Sequence, residues 1–342
     1  MIILMRFGAT QEQIQGVCEV IRAKGFDPLV LPGEDRLAIG IPAGLDAEQR
    51  LNLEATIGGM EGVSKVTQTS RPYKIASIEF HTQRTVVKAK GVEIGPETFV
   101  MMGGPCSVES YEQFSAAAKT VKESGATILR GGAFKPRTSP YAFQGLAEEG
   151  LRIIKAVGQE NNLVTVTEVM SGEMVPVVAE YVDILQIGAR SMQNFPLLIE
   201  AGKSMKPVFL KRGPSATLDE FLLAAEYVLS QGNPNVILCE RGVIPLDRSY
   251  TRNTLDLSAV PVLKEHTHLP IIIDPSHGTG VAKYVAPMAK AAMVAGADGL
   301  MVEMHPNPKV AMSDGSQALT PEQFVALMQE LYALAGFLGR KM

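Results

Sequence analysis

The chain has 342 residues, 46% hydrophobic, 20% charged and 6% aromatic, which suits one large barrel-type domain with an appendage, or two ordinary domains, because single cores stop growing at roughly 250–300 residues. That apolar share excludes a chain disordered throughout. With 32 Lys+Arg against 36 Asp+Glu the net charge is −4, so no general basic field points to nucleic acid or an anionic membrane, and an anionic ligand needs local cations.

The N-terminal apolar run, Ile2–Phe7, is too short for a signal peptide, and nowhere do about 18 apolar residues run together. Thr10–Lys24 follows, with Ile14, Val17, Cys18 and Ile21 at helical spacing behind a capping Thr. Strand-like Pro28–Leu31 and Arg36–Ile41 flank the turn-rich Pro32–Asp35, then come a helical Asp46–Ile57 and a last strand, Val63–Thr69. This βαββαβ order predicts a small ferredoxin-like domain over 1–70. A linker and a hairpin turning at Gly91 occupy 71–97. From 98 to 342, eight short apolar runs alternate with helical segments: Phe99–Gly103, Thr127–Arg130, Val164–Thr167, Ile184–Ile187, Val208–Lys211, Val236–Cys239, Ile271–Asp274 and Gly299–Val302. The pattern predicts an α/β fold, a (β/α)8 barrel. A doubly wound open sheet is the alternative, but its Gly-x-Gly-x-x-Gly turn is missing.

Polar groups follow each apolar run, where barrel active sites are built. Six cations, Arg130, Lys135, Arg137, Arg190, Lys211 and Arg241, fall at these endings, and closure of a barrel would gather them at one mouth. Like charges converging in a cleft cost free energy unless an anion compensates them. Arginine forks suit phosphate and carboxylate, and lysine supplies a compact charge or a proton. The set therefore points to a polyanionic substrate, or to two phosphorylated substrates. Taken singly, each is also readable as a solvated surface charge.

A second group draws on the first, seventh and eighth endings and the loop beyond. Cys106, His277, Glu303 and Asp314 offer S, N, O and O donors, suited to a divalent Mn, Fe, Co or Zn ion. Singly, Cys106 reads equally as a small buried hydrophobe, His277 as a structural histidine and Asp314 as a turn residue. Glu303 is harder to set aside, because a carboxylate ending an apolar strand needs a partner charge or a metal. Cys18 and Cys239 read as packing; with Cys106 they make no disulfide framework, which implies a reducing compartment. His81, His266 and His268 read as surface groups, and His305 as a neighbour of the metal group.

Gly104-Pro105-Cys106-Ser107, the run Leu129 to Pro140 (LRGGAFKPRTSP), Ile187 to Asn194 (IGARSMQN) and Asp274-Pro275-Ser276-His277 together resemble the 3-deoxy-D-arabino-heptulosonate 7-phosphate (DAHP) synthases. The likeness is to the metal-dependent branch with an N-terminal ferredoxin-like domain, and it covers essentially the whole chain. It implies a cytoplasmic transferase that condenses phosphoenolpyruvate with erythrose 4-phosphate. By the same resemblance, Arg130, Lys135, Arg190, Lys211 and Arg241, with a backbone contact from Ala189, hold phosphoenolpyruvate. Glu168 orders water or cations nearby, and Lys135, Pro136, Arg137 and Thr138 hold the sugar phosphate. One divalent metal on Cys106, His277, Glu303 and Asp314 polarises the aldehyde. Lys135 is the candidate proton donor, and Asp274 the candidate for positioning sugar or water. An aromatic amino acid effector at the N-terminal domain and a homodimer or homotetramer are further expectations.

One stretch departs from the family pattern: Val243 to Arg248 (VIPLDR) stands where relatives carry a shorter Ile-Arg-Thr-Phe-type continuation. The alternative activity is the sister synthesis of 3-deoxy-manno-octulosonate 8-phosphate, whose enzymes carry Lys-Ala-Asn-Arg-Ser where this chain has Lys135-Pro136-Arg137-Thr138. A barrel that has lost catalysis and senses metabolites is a third reading; it predicts damaged ligands, whereas all four metal candidates are present.

Overall fold

Apolar residues gather around two separate cores. The computed structural model describes residues 1–31, 37–41, 43–67, 71–136 and 139–342; Arg137 and Thr138 lie outside the described residues. Two compact units emerge, Met1–Gln83 with His266–His268, and Arg84–Glu265 with Leu269–Met342.

The first unit runs β1 (Ile2–Met5), α1 (Gln11–Ala23), β2 (Leu29–Leu31), β3 (Ala38–Gly40), α2 (Ala47–Ile57) and β4 (Val63–Thr67). Its antiparallel sheet has the order β2-β3-β1-β4, the ferredoxin-like arrangement. Helix α1 starts where Thr10 accepts from the Gln13 N–H while the Gln13 side chain accepts from the Thr10 N–H. Ile14, Val17, Cys18 and Ile21 then fall on one face and pack on Ile3, Ile39 and Val63. Each fully buried Ile or Val contributes about 1.5–3 kcal/mol. Asp46 and Gln49 cap α2 in the same reciprocal way. One expectation is corrected here: His268 is buried, not a surface group, because its Nε2 meets the Ile75 carbonyl at 2.8 Å and its ring lies against His81.

The second unit opens with a hairpin, β5 (Val87–Ala89) and β6 (Val92–Ile94), turned by Lys90 and Gly91, both at positive φ. Eight parallel strands then close a barrel: β7 (Val100–Gly104), β8 (Ile128–Arg130), β9 (Val164–Glu168), β10 (Ile184–Ile187), β11 (Val208–Lys211), β12 (Val236–Glu240), β13 (Ile271–Ile273) and β14 (Gly299–Glu303). Closure excludes the open sheet. Helices α3 (Tyr111–Glu123), α4 (Ala147–Glu160), α5 (Val175–Ala179), α6 (Phe195–Lys203), α7 (Leu218–Leu229), α8 (Ala259–His266), α9 (Pro275–Thr279), α10 (Ala282–Val294) and α11 (Pro321–Phe337) follow the strands. Hairpin residues Val87, Ala89 and Ile94 share one buried cluster with Val100, Ile128, Val164 and Ile184 at the strand beginnings. The hairpin thus fills the end where strands begin, leaving the opposite end for chemistry. Among the described residues no helix is long and apolar enough to cross a membrane.

Candidate active site

Strand register decides which endings meet. In the β14–β7 pair Glu303 stands opposite Gly104, so the Cys106 turn begins beside the Glu303 carboxylate. Gly104 has φ 141°, and a Cβ there would lie 2.1 Å from the Arg130 carbonyl oxygen; only glycine lets the chain leave β7 at this point. Asp274 follows β13 and caps the short α9, its Oδ1 accepting the His277 N–H (2.9 Å) and its Oδ2 the His277 Nδ1–H (2.7 Å). With Nδ1 donating, the Nε2 lone pair is free to point at Glu303 Oε1, 3.3 Å away.

The ligand atoms of Cys106, His277, Glu303 and Asp314 all lie within 4.8 Å of one another. One sulfur, one imidazole nitrogen and two carboxylate oxygens at that spacing fit a divalent transition metal. Burial pushes the Cys106 thiol up to about 11, nearby Glu303 adding to the rise while Lys135 and Arg130 oppose it. Burial also lowers His277, against the pull of Asp274 and Glu303. For Glu303 burial disfavours the charge, yet His277 and Arg130 outweigh it and hold the carboxyl below its usual range. Asp314 is likewise low, because the Cys106 hydrogen bond and nearby cations overcome its burial.

Beside this group opens a cleft of about 480 Å³. It is lined by Arg130, Lys135, Pro136, Glu168, Ala189, Arg190, Lys211, Arg241, His277 and Asp314 among the residues singled out from sequence. Arg130 Nη1 donates to Glu303 Oε1 (3.0 Å) and the Pro105 carbonyl (2.7 Å). Lys211 Nζ donates to Asp274 Oδ2 at 2.7 Å. Asp274 is fully buried, so it reaches the cleft through Lys211 and His277. Burial opposes its charge, but the two His277 N–H groups it accepts from and the Lys211 ammonium keep it well below the usual carboxyl range. Lys135 Nζ lies 2.9 Å from Cys106 Sγ and 3.0 Å from the Cys106 carbonyl oxygen, which puts the proposed proton donor at the rim of the metal group. Arg190 is exposed and reaches the Pro136 carbonyl.

Among the described residues, two buried side-chain polar atoms lack a hydrogen-bond partner, Nε of Arg130 and Nε of Arg241. Both belong to residues lining the cleft. Buried donors are normally satisfied, so these two guanidinium N–H groups are hydrogen-bonding capacity left over on residues that line the cleft.

Several participants escaped the sequence reading. Gln186 donates to Glu168 Oε2 (3.1 Å); its signal was a lone polar residue inside an apolar strand. Buried Arg212 donates to Glu240 (2.9 Å) and Asp256 (3.0 Å), while Glu240 also accepts the Gly242 N–H, fixing the backbone on both sides of Arg241. Arg252 and Asn253 line the cleft as well. They sit at the end of the divergent loop, whose neck is tied by reciprocal Val243–Thr254 backbone bonds and by Ile244 N–H to the Pro214 carbonyl. Its tip exposes Ile244, Leu246 and Tyr250.

Comparison with known proteins covers both units. Residues 79–335 match the DAHP synthetase I family, and residues 1–71 match the DAHP synthase ferredoxin-like domain. A phospho-2-dehydro-3-deoxyheptonate aldolase of Thermotoga maritima is 44% identical over 341 residues, covering 100% of this chain and 99% of the relative. Its crystal structure superposes with TM-score 0.79 at 43% identity, over 99% of this chain and 98% of that one. A 2-dehydro-3-deoxyphosphooctonate aldolase of Syntrophobacter fumaroxidans is 31% identical, over 70% of this chain and 88% of the relative. With family models matching both the barrel and the N-terminal domain, and a relative 44% identical over the whole chain, the chain belongs to the DAHP synthetase I family.

Proposed function

We propose how this chain divides the work of the family reaction, in which phosphoenolpyruvate, erythrose 4-phosphate and water give DAHP and phosphate, the opening step of the shikimate route to aromatic amino acids. The observation that carries the assignment is the pair of unpartnered guanidinium N–H groups of Arg130 and Arg241 beside a four-donor metal group. Arg130, Arg241, Lys211 and Arg190, with the Ala189 N–H, take the carboxylate and phosphate of phosphoenolpyruvate. Lys135 and Pro136, with Arg137 and Thr138, take the sugar phosphate. Cys106, His277, Glu303 and Asp314 would hold one ion of Mn, Fe, Co or Zn per subunit, which would supply Lewis acidity toward the aldehyde oxygen.

Carbon 3 of phosphoenolpyruvate bonds to the aldehyde carbon, water adds at carbon 2, and the C–O bond to phosphate breaks. Lys135 Nζ, beside Cys106 Sγ, delivers a proton to the new alkoxide. Glu168, steadied by Gln186, orders the attacking water. Asp274 holds His277 and Lys211 in place. Phosphate release from the metal-loaded chain should require erythrose 4-phosphate; faster release with arabinose 5-phosphate would favour the octulosonate activity, and release with neither aldose would favour the sensor reading.

The N-terminal unit supports regulation by an aromatic amino acid. A groove of about 330 Å³ there is lined by Lys24, Phe26, Asp46, Glu48 and Leu53 among others, offering a cation for a carboxylate, acids for an ammonium and apolar surface for a ring. Loss of tyrosine or phenylalanine inhibition in Lys24→Ala and Phe26→Ala, with uninhibited rates preserved, tests it; unchanged sensitivity would exclude this groove. Resemblance to the family also supports cytoplasmic residence and a homodimer or homotetramer, which light scattering resolves.

A further inference from the structure

We propose that Glu109 is a positioning residue that sets the separation of the two loop-borne members of the metal group, Cys106 and Asp314. The inference rests on the reading of Cys106, His277, Glu303 and Asp314 as metal ligands and extends it.

The four ligands are not equally supported by the fold. Glu303 ends β14, and His277 sits in α9 under its Asp274 cap. Cys106 lies in the loop after β7, and Asp314 lies in an irregular segment at φ 50°, a conformation that costs a non-glycine residue free energy unless its surroundings enforce it. Those two loops run side by side in opposite directions and are stitched residue by residue. Cys106 Sγ donates to Asp314 Oδ2 at 3.2 Å, the hydroxyls of Ser107 and Ser313 share a 2.6 Å bond, and Glu109 Oε1 accepts the Met312 N–H at 2.8 Å.

The direction of these bonds makes Glu109 the anchor. Ser107 Oγ also donates to Glu109 Oε1 (3.3 Å), so Ser313 donates to Ser107 and the chain ends on the carboxylate. From the other side, His305 Nδ1 accepts the Asn307 N–H (3.0 Å), which leaves the imidazole proton on Nε2, facing Glu109 Oε2 at 3.3 Å. Three donors from three segments thus converge on one acceptor-only group. Ser107, Ser313 and His305 are all buried, so these bonds have little competition from water.

Metal binding takes the proton from Cys106 and with it the Cys106–Asp314 bond. The Ser313–Ser107–Glu109–Met312 stitch does not depend on that proton, so it goes on fixing the spacing of the two loops when the Cys106–Asp314 bond is gone. Among the described residues Glu109 makes its side-chain hydrogen bonds to Ser107, His305 and Met312 and none to the four ligand side chains, so it acts through the Met312–Asp314 backbone.

The test uses the full chain loaded with zinc or with cobalt(II). Glu109→Ala should release zinc to a chromogenic chelator about 10–100-fold faster than the wild type, the usual size of such outer effects on metal affinity, and should lower the melting temperature of the zinc-loaded chain more than that of the metal-free chain, where it only strands the Ser107, His305 and Met312 donors. In the cobalt form the thiolate-to-metal absorption should persist and the visible ligand-field bands should change, reporting a loosened Asp314 with Cys106 still bound. Glu109→Gln should fall between. Its amide group offers one acceptor oxygen, and its NH2 must face either the His305 Nε2–H or the Met312 N–H. Wild-type release rates in either variant would overturn the proposal, as would an equal drop in melting temperature with and without metal, the mark of a general structural role. A wild-type chain that binds no cobalt would instead overturn the metal reading itself.

Discussion

Asp274→Asn tests whether the buried acid beneath the cleft holds its two neighbours. The carboxylate is fully buried, with Oδ2 at 2.7 Å from both Lys211 Nζ and His277 Nδ1. Asparagine keeps the shape and can still cap His277 N–H through Oδ1, but its NH2 group must then face the Lys211 ammonium and the His277 Nδ1–H. Lys211, itself 3% exposed, becomes an unpaired buried charge. Breaking such a pair from one side costs about 3–5 kcal/mol. At about 2–4 °C per kcal/mol for domains of 150–250 residues, the lower figure alone lowers the melting temperature by about 6–12 °C. Calorimetry of the metal-free chain reads this directly. Adding Lys211→Met removes the stranded charge, so the double variant should recover at least half of the loss. A double variant no more stable than Asp274→Asn would refute the ion-pair argument. Unaltered metal affinity in Asp274→Asn would refute the claim that this carboxylate sets the His277 tautomer.

Three further outcomes follow from the site geometry. Lys135→Met should lower kcat by about 10²–10⁴-fold, the range for a lost proton donor, with metal content by elemental analysis unchanged, because the lost cation had both favoured the Cys106 thiolate and repelled the ion; an unchanged kcat would exclude Lys135 as the acid. Metal binding near pH 8 should release one proton per ion: Cys106, raised to about 11, is then protonated, whereas His277, lowered by burial, is already neutral. Affinity should accordingly rise about tenfold per pH unit below the thiol pKa, and calorimetry in buffers of different ionisation enthalpy checks the count. Gly188→Ala places a Cβ 2.0 Å from Glu168 Oε1 and should displace that carboxylate, lowering kcat with little change in melting temperature; wild-type kinetics would show that Glu168 has no part in the reaction.

The legible parts of this chain were those fixed by repetition. Strands β7 to β14 announce themselves as apolar runs with a polar residue at the end, and parallel register then forces those endings to one mouth, so Cys106, His277 and Glu303 converge although 197 positions separate the first from the last. Helix α1 was legible for the same reason, since four apolar residues at helical spacing admit one buried face. Composition could say that the cations need an anion. It could not say which of them already have acids.

What escaped the sequence was the pairing of polar groups, because a hydrogen bond between residues far apart leaves no periodic trace. Asp274 looks from sequence like a group facing substrate, but proline at the first position of α9 turns the chain so that the carboxylate points back to cap His277. His268 looks exposed in a polar stretch and is buried against Ile75. Arg252 and Asn253 stand at no strand end; the Val243–Thr254 neck of the divergent loop delivers them to the cleft. The same pairing explains how a chain of net charge −4 sustains a cationic cleft. Glu303 meets Arg130 and lies 3.3 Å from His277 Nε2, and Asp274 meets both Lys211 and His277, so two buried acids at once hold two cations of the cleft and shape the four-donor group. Changes at either acid therefore reach both halves of the site, and their effects on anion binding and metal binding cannot be independent.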